Sequence, residues 1–234
     1  MRRRAGTAEF LDGPLGDPGV LRDNLRDLRR ANRFTGGASL SKRAISALVP
    51  APASLTVLDI GTGAADIPLA LIADARHTNR RVTITAVDRR PEVLDAARAA
   101  QPDLERTPNL ALAVADGRAL SYADASFDVA HASLVLHHLD PADAVQFLRE
   151  LSRVARRGIV VNDLSRRPVT VFGSWLLSRV FTRNAYSRHD APLSARRAYT
   201  LAEARALLAE AGLRPIYVTQ GIFGHRWVIA AVRQ

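Results

Sequence analysis

The sequence predicts a three-layer α/β fold, in which helices cover both faces of a mostly parallel sheet. Between Leu55 and Val161, short apolar runs alternate with segments of helical spacing, and this alternation requires right-handed crossovers between parallel strands. Two later strand-like runs have no helix between them, which predicts an antiparallel last strand. A chain of 234 residues, 47% of them hydrophobic, is large enough to bury the core of such a sheet.

Apolar runs predict seven strands in the order in which they occur along the chain. These strands cover residues 55–60, 82–87, 110–115, 127–132, 158–161, 214–219 and 227–232. Helices are predicted over residues 67–75, 93–100, 144–154 and 201–211. Pro91 and Pro141 precede two of these helices, and proline suits the first turn of a helix.

The first fifty residues predict two further helices. The spacing places four apolar residues on one face of the first helix: Leu21, Leu25, Leu28 and Phe34. A turn at Gly36-Gly37 leads to a second helix, which Ser39 or Ser41 is predicted to cap and which runs to Val49 before Pro50-Ala51-Pro52.

We predict a single domain with four parts. They are a helical cap (1–52), a ligand-binding core (53–163), a lid insertion (164–200), and a terminal helix with a hairpin (201–234). The insertion is too long for an ordinary connection, and long insertions are usually lids or binding elements. It contains an apolar run around Trp175, and a polar loop is predicted through Arg188, His189 and Asp190.

Composition excludes several functions. The chain has no cysteine, so disulfides, cysteine-based zinc sites and thiol nucleophiles are excluded, and no metal site is predicted. The net charge of +10 is concentrated in residues 151–200, where ten arginines face only Asp163 and Asp190. This excess favours an anionic partner, and a solvated arginine face explains it equally well.

The start of the chain carries the charges of a signal peptide without its apolar segment. Glu9, Asp12 and Gly13 interrupt the residues that follow Arg4, and no apolar run approaches the ~18 residues that cross a bilayer. We therefore expect a cytoplasmic protein.

A glycine turn between the first strand and its helix predicts a ligand site. Gly61 and Gly63 allow a sharp turn and a close approach of the backbone to a ligand. A dinucleotide site requires a further glycine where this chain has Asp66, and Asp59 lies just before the turn. Two carboxylates repel a pyrophosphate and attract an ammonium or sulfonium group, so the turn suits a cationic ligand.

Three successive strands end in carboxylates. Asp59, Asp88 and Asp116 all fall at the carboxyl edge of the sheet, where ligands bind in open α/β folds. Asp88 is spaced to accept hydrogen bonds from ribose hydroxyls. Asp116, which Gly117 follows, is placed to accept a hydrogen bond from an adenine amino group. A single aspartate after a strand is often only a turn residue, whereas three at one edge predict a nucleoside-like ligand.

With these motifs the chain resembles the class I S-adenosylmethionine-dependent methyltransferases. Residues 57–63 match the first motif of that family, with Ala65 at its usual third glycine, and residues 86–88, 114–117 and 126–139 match later motifs. The resemblance implies S-adenosylmethionine as cofactor and a Rossmann-like sheet in the order 3-2-1-4-5-7-6. The predicted cofactor-binding residues are Asp59, Gly61, Thr62, Gly63, Asp66, Asp88, Arg89, Asp116, Gly117 and Ser133.

Histidines are the candidate bases for such a transfer, because a phenol-like acceptor must lose a proton near pKa ~10. We predict His189, in the insertion beside Asp190, and His138 as catalytic residues. His137 is predicted to contact the acceptor, although the pair at 137–138 is also explained by packing against the following helix. His225 is predicted to be a surface or packing residue.

The insertion indicates a small acceptor that is apolar or aromatic. Phe172 and Trp175 belong to an apolar stripe in the lid and are predicted to contact the acceptor. O-methylation of a phenol, a polyketide or a quinone precursor is favoured. The same helix could instead cover the sheet or lie on a membrane surface. Peripheral membrane contact and a homodimer both stay open.

Two alternative functions stay open. The basic charge allows methylation of RNA or another nucleic acid, but the chain lacks the cysteine of pyrimidine C5 chemistry, and residues 161–164 replace the Asn-Pro-Pro-aromatic motif. Nucleic acid is therefore a disfavoured partner. A non-catalytic protein that keeps the cofactor pocket is the second alternative. Metal-dependent catechol methylation is disfavoured, because Asp163 supplies only half of the carboxylates it needs.

Overall fold

A computed structural model describes residues 1–4, 6–14, 16–51 and 53–234. Within these ranges, seven strands form one sheet in the order β3-β2-β1-β4-β5-β7-β6. The strands are β1 (Leu55–Ile60), β2 (Val82–Asp88), β3 (Leu110–Val114), β4 (Phe127–Ser133), β5 (Ala155–Leu164), β6 (Leu213–Gln220) and β7 (Arg226–Arg233). Strands β1 to β5 pair in parallel, and β7 runs antiparallel to both of its neighbours. The predicted fold class, strand order and reversed last strand are confirmed.

In the described part of the chain, eight α-helices surround the sheet. They are α1 (Pro18–Phe34), α2 (Gly37–Leu48), α3 (Asp66–His77), α4 (Pro91–Ala100), α5 (Pro141–Val154), α6 (Pro168–Phe181), α7 (Ala185–Arg197) and α8 (Leu201–Glu210). Local signals set several of their starts. The Asp17 side chain caps α1, and Thr200 and Glu203 form a capping box at α8. Within the described part of the chain, no helix is both long and apolar enough to cross a membrane.

The core lies on both faces of the central strands. On one face, Phe147, Leu148 and Leu151 of α5 are buried in a cluster with residues of β1, β4, β5 and α8. On the other face, α2 and α3 form a second cluster, in which Ile45 and Ile72 are almost fully buried. Residues buried on both faces explain why these strands appear in the sequence as continuous apolar runs.

Two predictions about the N-terminal helices are wrong. Phe34 is 86% exposed, because it follows Leu21 by thirteen residues, which at 100° per residue places the two side chains about 140° apart around the helix axis. Neither Ser39 nor Ser41 caps α2, because the helix already begins at Gly37, after Gly36 in the left-handed region. The predicted end of this segment at Pro52 lies outside the described residues.

The predicted polar loop after α6 is instead helix α7. Its buried face is polar, with Ser187, Asp190, Ser194 and Arg197 at helical spacing. These side chains bond to polar groups of the N-terminal part of the chain. For example, the Asp190 carboxylate accepts hydrogen bonds from the Phe10 and Leu11 amides. A search for apolar periodicity misses such a helix, since the periodic residues are hydrophilic.

Candidate active site

A cavity of ≈ 1370 Å³ opens at the carboxyl edge of the sheet. The residues that follow β1, β2, β3 and β4 line one end of it, which we call the cofactor end. Residues 6–12, α6, α7 and the turn after β4 line the opposite part, which we call the acceptor end. All ten residues predicted to bind the cofactor line this cavity, as do His137 and His138. Their roles in binding stay predictions.

The glycine turn is tightly packed. Gly61 and Gly63 both have positive φ, and a Cβ atom at Gly61 would come within 2.4 Å of the Val135 side chain. Ala65, which replaces the third glycine of the motif, is fully buried at φ 54°. The left-handed conformation that favours glycine is therefore kept here by an alanine.

Asp88 is bonded directly to this turn. Its carboxylate accepts hydrogen bonds from the Gly63 amide at 3.2 Å and the Arg90 amide at 3.1 Å. Burial raises the pKa of the Asp88 carboxyl above its ordinary value, although these two amides oppose the shift. The geometry holds a hydrogen-bond acceptor beside the turn, where a ligand's hydroxyl groups can reach it.

Asp116 is held by Arg118. The guanidinium bonds to both carboxylate oxygens, at 3.0 and 3.3 Å, and these bonds hold the pKa of Asp116 below its usual value. Arg118 also bonds to Asp143 of α5. The end of β3 is therefore a fixed polar edge, next to Gly117, where an added Cβ would meet the Phe147 ring at 2.5 Å.

Asp59 belongs to a chain of buried polar groups beneath the cavity. Its Oδ1 lies 2.5 Å from Nδ1 of His131, whose Nε2 lies 2.8 Å from the Ser41 hydroxyl. Ser41 in turn accepts a hydrogen bond from the Asn162 side chain at 2.8 Å. The chain joins β1, β4, α2 and β5, and every side chain in it is buried. Asp59 is thus fixed in orientation before any ligand binds.

A second carboxylate at the cofactor end lies near a buried cation. Asp66 accepts a hydrogen bond from Asn32 at 3.1 Å, and burial raises the pKa of Asp66 to about 6. The Arg226 guanidinium is fully buried and donates to Asn32, and burial lowers the pKa of Arg226 to about 10. Carboxylate and guanidinium therefore line the same end of one cavity.

Unpaired polar atoms are concentrated at this cavity. Among the described residues, eight buried side-chain atoms lack a hydrogen-bond partner, and seven of them belong to residues that line it. They are Glu9 Oε1, Asn24 Oδ1, Thr62 Oγ1, Ser133 Oγ, His225 Nε2, and Nε and Nη1 of Arg226. Buried polar groups are normally paired, so this set indicates a site for a polar ligand. Asp59 and Asp66 suit an ammonium, Arg226 suits a carboxylate, and Asp88 suits hydroxyl groups, which together fit S-adenosylmethionine.

A histidine–aspartate pair lies at the acceptor end. His137 Nδ1 is 2.7 Å from Oδ1 of Asp163, and the His137 amide donates to the other carboxylate oxygen at 3.0 Å. Burial alone would raise the pKa of Asp163, but the charge and hydrogen bonds of His137 and the Leu164 amide hold it below its ordinary value. The carboxylate therefore stays ionised and fixes the orientation of the imidazole.

Glu9 faces the other nitrogen of His137. Its Oε1, which has no hydrogen-bond partner, lies 3.8 Å from His137 Nε2, and its Oε2 accepts a bond from Ser194 at 2.7 Å. Burial raises the pKa of the Glu9 carboxyl. The residue comes from the N-terminal segment 6–14, which Arg90 holds against the cavity by donating to the Leu11 and Gly13 carbonyls.

Among the described residues, one group comes nearest to a metal site, and it consists of Glu9, His137 and His138. Glu9 Oε1 lies 3.8 and 3.9 Å from the two histidine nitrogens. Ligands of a tetrahedral zinc ion stand only about 3.4 Å apart, and His138 Nδ1 is already bonded to Asp12 at 2.8 Å. The spacing fits hydrogen bonding to a polar ligand better than metal coordination.

Three residues predicted to act on the acceptor lie outside the cavity wall. His189 is bonded to Asp190 at 2.7 Å and stacks on Phe10, because α7 directs it to the surface. Phe172 and Trp175 point outward, because the face of α6 toward the cavity carries Gly173, Leu177 and other residues. The structure thus brings His137 and His138 together with the predicted cofactor set, but not these three residues.

Three residues that line the cavity were not predicted from the sequence: Glu9, Asn32 and Arg226. Asp163 was considered only as a metal ligand. Asp163 had a local signal, since it ends a strand at the same edge as the other aspartates. Glu9 and Asn32 had none, because they precede the sheet in helical or irregular segments, and Arg226 lies on the reversed strand.

The sheet order, the glycine turn and the strand-end carboxylates define a class of protein. They are the features of class I S-adenosylmethionine-dependent methyltransferases, and residues 57–158 match a family model described as a methyltransferase domain. The recognition made from the sequence, with S-adenosylmethionine as cofactor, is confirmed.

Known proteins resemble the chain over different extents. It is 30% identical over 118 residues to a ubiquinone/menaquinone biosynthesis C-methyltransferase, UbiE, of Geobacter sp. (strain M21). The matched residues make up 50% of this chain and 48% of the relative. The chain therefore spans about half the length of the curated relatives it matches. A SAM-dependent methyltransferase from Aquifex aeolicus shares the fold over 93% of this chain and 98% of its own, with TM-score 0.63 and 19% identity. Human N-acetylserotonin methyltransferase, solved in complex with SAM, shares the fold over 93% of this chain and 56% of its own, with TM-score 0.65 and 16% identity.

Proposed function

We propose that the protein methylates a small hydroxylated aromatic acceptor, with His137 as the general base. The observation that carries this proposal is that His137, which lines the cavity, is paired with the buried Asp163. Because Asp163 stays ionised, it holds the proton on Nδ1 and leaves the lone pair of Nε2 available. Nε2 is the atom that faces Glu9.

The chemistry of a phenol requires such a base. A free phenol has a pKa near ~10, so it is a poor nucleophile at neutral pH until its proton is transferred to an acceptor such as His137 Nε2. Bound S-adenosylmethionine supplies a methyl group already activated on a sulfonium. Loss of the hydroxyl proton places negative charge on the oxygen and on the neighbouring ring carbons. The same base therefore serves O-methylation and C-methylation.

The acceptor end combines apolar walls with a few polar groups. Leu28, Val169, Leu177 and Phe181 line the cavity, and they suit an apolar or aromatic ring. Glu9 can accept a hydrogen bond from a second hydroxyl group of that ring. The relatives named for ubiquinone and menaquinone biosynthesis support a quinone precursor as acceptor.

The test is a methyl-transfer assay with S-adenosylmethionine and a panel of phenols, naphthols and hydroquinones, with products analysed by mass spectrometry and NMR. We expect transfer to at least one dihydroxylated ring, and we expect His137→Gln to lower kcat by about 10²-fold or more. His77→Gln, an exposed histidine on α3, is the control and should leave kcat unchanged.

Two outcomes would contradict the proposal. If His138→Gln removes activity and His137→Gln keeps it, the base is assigned to the wrong ring. If no phenolic compound is methylated while the cofactor binds, the acceptor class is wrong. The position of the new methyl group separates O- from C-methylation. O-methylation, a cytoplasmic location and a homodimer stay predictions from the sequence.

A further inference from the structure

Helix α6 exposes its apolar residues and buries polar ones. The two buried residues of the helix are Thr170 and Ser178. Val171 is half-buried, and the other large apolar side chains of the helix are exposed: Val169, Phe172, Trp175, Leu176, Leu177, Val180 and Phe181. A surface helix of a soluble protein normally shows the opposite arrangement. Contiguous exposed apolar residues mark an interaction site.

The same surface continues around the mouth of the cavity. Leu177 and Phe181 of α6 line the cavity while remaining exposed, and so do Phe34, Ile222 and Phe223 from two other parts of the chain. We call these five residues, together with the outer face of α6, the apolar rim. Apolar residues of three separate segments thus meet where a ligand enters.

Basic residues flank the apolar rim. Arg167, Arg179 and Arg183 stand at the two ends of α6 and are exposed, and α6 itself contains no acidic residue. Within the described ranges, none of these three arginines has a carboxylate within 4.0 Å. Their positive charge is therefore free to act on a partner.

We propose that the apolar rim docks on an anionic lipid surface, with α6 lying in the interface. Aromatic and aliphatic side chains on one surface with arginines beside them are the features of helices that lie in the headgroup region. The fourteen residues of α6 are too few to span a bilayer, so the helix would lie along the surface. The α6 face of a second copy has no acidic residue to offer these arginines, whereas anionic lipid headgroups supply negative charge, which makes lipid the better match.

Docking in this way would face the cavity mouth toward the membrane. Entry of an apolar acceptor from the lipid by this route rests on the proposed function. Binding to lipid vesicles does not, since it is measured without cofactor or acceptor.

The experiment uses the full chain with vesicles of phosphatidylcholine alone and of phosphatidylcholine with one quarter phosphatidylglycerol. Trp175 lies on the apolar rim, and Trp227 is buried with its indole N–H bonded to Tyr199. We expect a blue shift of tryptophan emission with the mixed vesicles, and co-sedimentation at least about tenfold stronger than with the neutral ones. The Trp227 contribution stays constant, so the shift reports Trp175.

Matched variants separate docking from loss of folding. Leu176→Glu with Val180→Glu alters the outer face of α6, away from the cavity wall, and should weaken vesicle binding about tenfold or more. Ile216→Glu on β6 is the control, because Ile216 and Leu176 are both 42% exposed. It should bind vesicles as the wild type does, and both proteins should keep their affinity for S-adenosylhomocysteine.

Three results would overturn the proposal. They are no binding to the mixed vesicles, equal binding to both vesicle types, and equal loss of binding in the Ile216→Glu control. A dimer in analytical ultracentrifugation that Leu176→Glu with Val180→Glu dissociates, without vesicle binding by the wild type, would assign the apolar rim to self-association instead.

Discussion

Two of the histidine–aspartate pairs among the described residues, one near each end of the cavity, differ in what the second nitrogen of the ring meets. In the pair of His131 and Asp59, Nε2 contacts Ser41, and the whole group is buried. In the pair of His137 and Asp163, Nε2 faces Glu9 and the cavity. The first arrangement is closed, and the second leaves a nitrogen for a ligand.

Pairing of a histidine with a carboxylate therefore does not by itself indicate a catalytic residue. Geometry at Nδ1 is nearly the same in both pairs, with distances of 2.5 and 2.7 Å. The surroundings of Nε2 decide the role. The first pair holds a cofactor-end carboxylate in position, and the second can accept a proton from an acceptor.

The largest expected effect is that of Asp163→Asn. Loss of the charge removes the group that holds the proton on Nδ1 of His137, so kcat should fall by about 10²-fold or more. Calorimetric affinity for S-adenosylhomocysteine should stay within about twofold. An unchanged kcat would show that the two pairs are both structural and would remove the contrast between them.

The next effect concerns the cofactor end. Asp88→Ala removes an acceptor beside the glycine turn, and affinity for S-adenosylmethionine and S-adenosylhomocysteine should fall about 30-fold, or about 2 kcal/mol. Titration calorimetry measures the change. Asp95→Ala, an exposed carboxylate on α4, is the control and should bind as the wild type does. Equal binding by all three proteins would contradict the cofactor assignment.

The affinity for the cofactor should also depend on pH through Asp66. Its pKa is raised to about 6, so the carboxyl is mostly protonated at pH 5 and mostly ionised at pH 7. An ammonium group binds the ionised form, and affinity should therefore rise about tenfold between these two values. Calorimetry at both pH values, repeated with Asp66→Asn, tests this. The variant should lose most of the difference, and an equally steep dependence in the variant would exclude Asp66 as its source.

A smaller effect is expected in the closed pair. Ser41→Ala leaves His131 Nε2 without a partner and removes one of the two hydrogen bonds of the Asn162 side-chain amide, which also donates to the Gly37 carbonyl. The change should cost roughly 1 kcal/mol, or about 2–4 °C in Tm, with kcat unchanged. Ser39→Ala, at an exposed position of the same helix, should leave Tm unchanged. If Ser41→Ala lowers kcat as strongly as Asp163→Asn, the closed pair takes part in catalysis.

The smallest effect is expected for Ala65→Gly. The left-handed conformation costs alanine about 1 kcal/mol, and glycine does not have this cost. Glycine also lacks the buried methyl group, which stabilises the fold by about 0.8 kcal/mol. The free energy of unfolding in urea should change by less than about 0.5 kcal/mol. A gain above about 1 kcal/mol would show that the alanine strains the turn.

The sequence by itself determined the sheet and the cofactor end of the cavity. Strand runs, the glycine turn and aspartates at the strand ends are local patterns, and parallel strands bring their carboxyl ends to one edge. That is why Asp59, Asp88 and Asp116, which are far apart in the chain, could be placed together from sequence.

Only the tertiary structure decided the acceptor end. Glu9 meets His137 there, and the spacing of these two residues along the chain does not predict the contact. Helix α7 is held by polar contacts that apolar periodicity does not report. The direction of a helix face also depended on packing: Phe172 and Trp175 share a helix with Leu177, but α6 docks so that only Leu177 of the three reaches the cavity. Side chains at that end are oriented by contacts between distant segments, and such contacts exist only once the chain has folded.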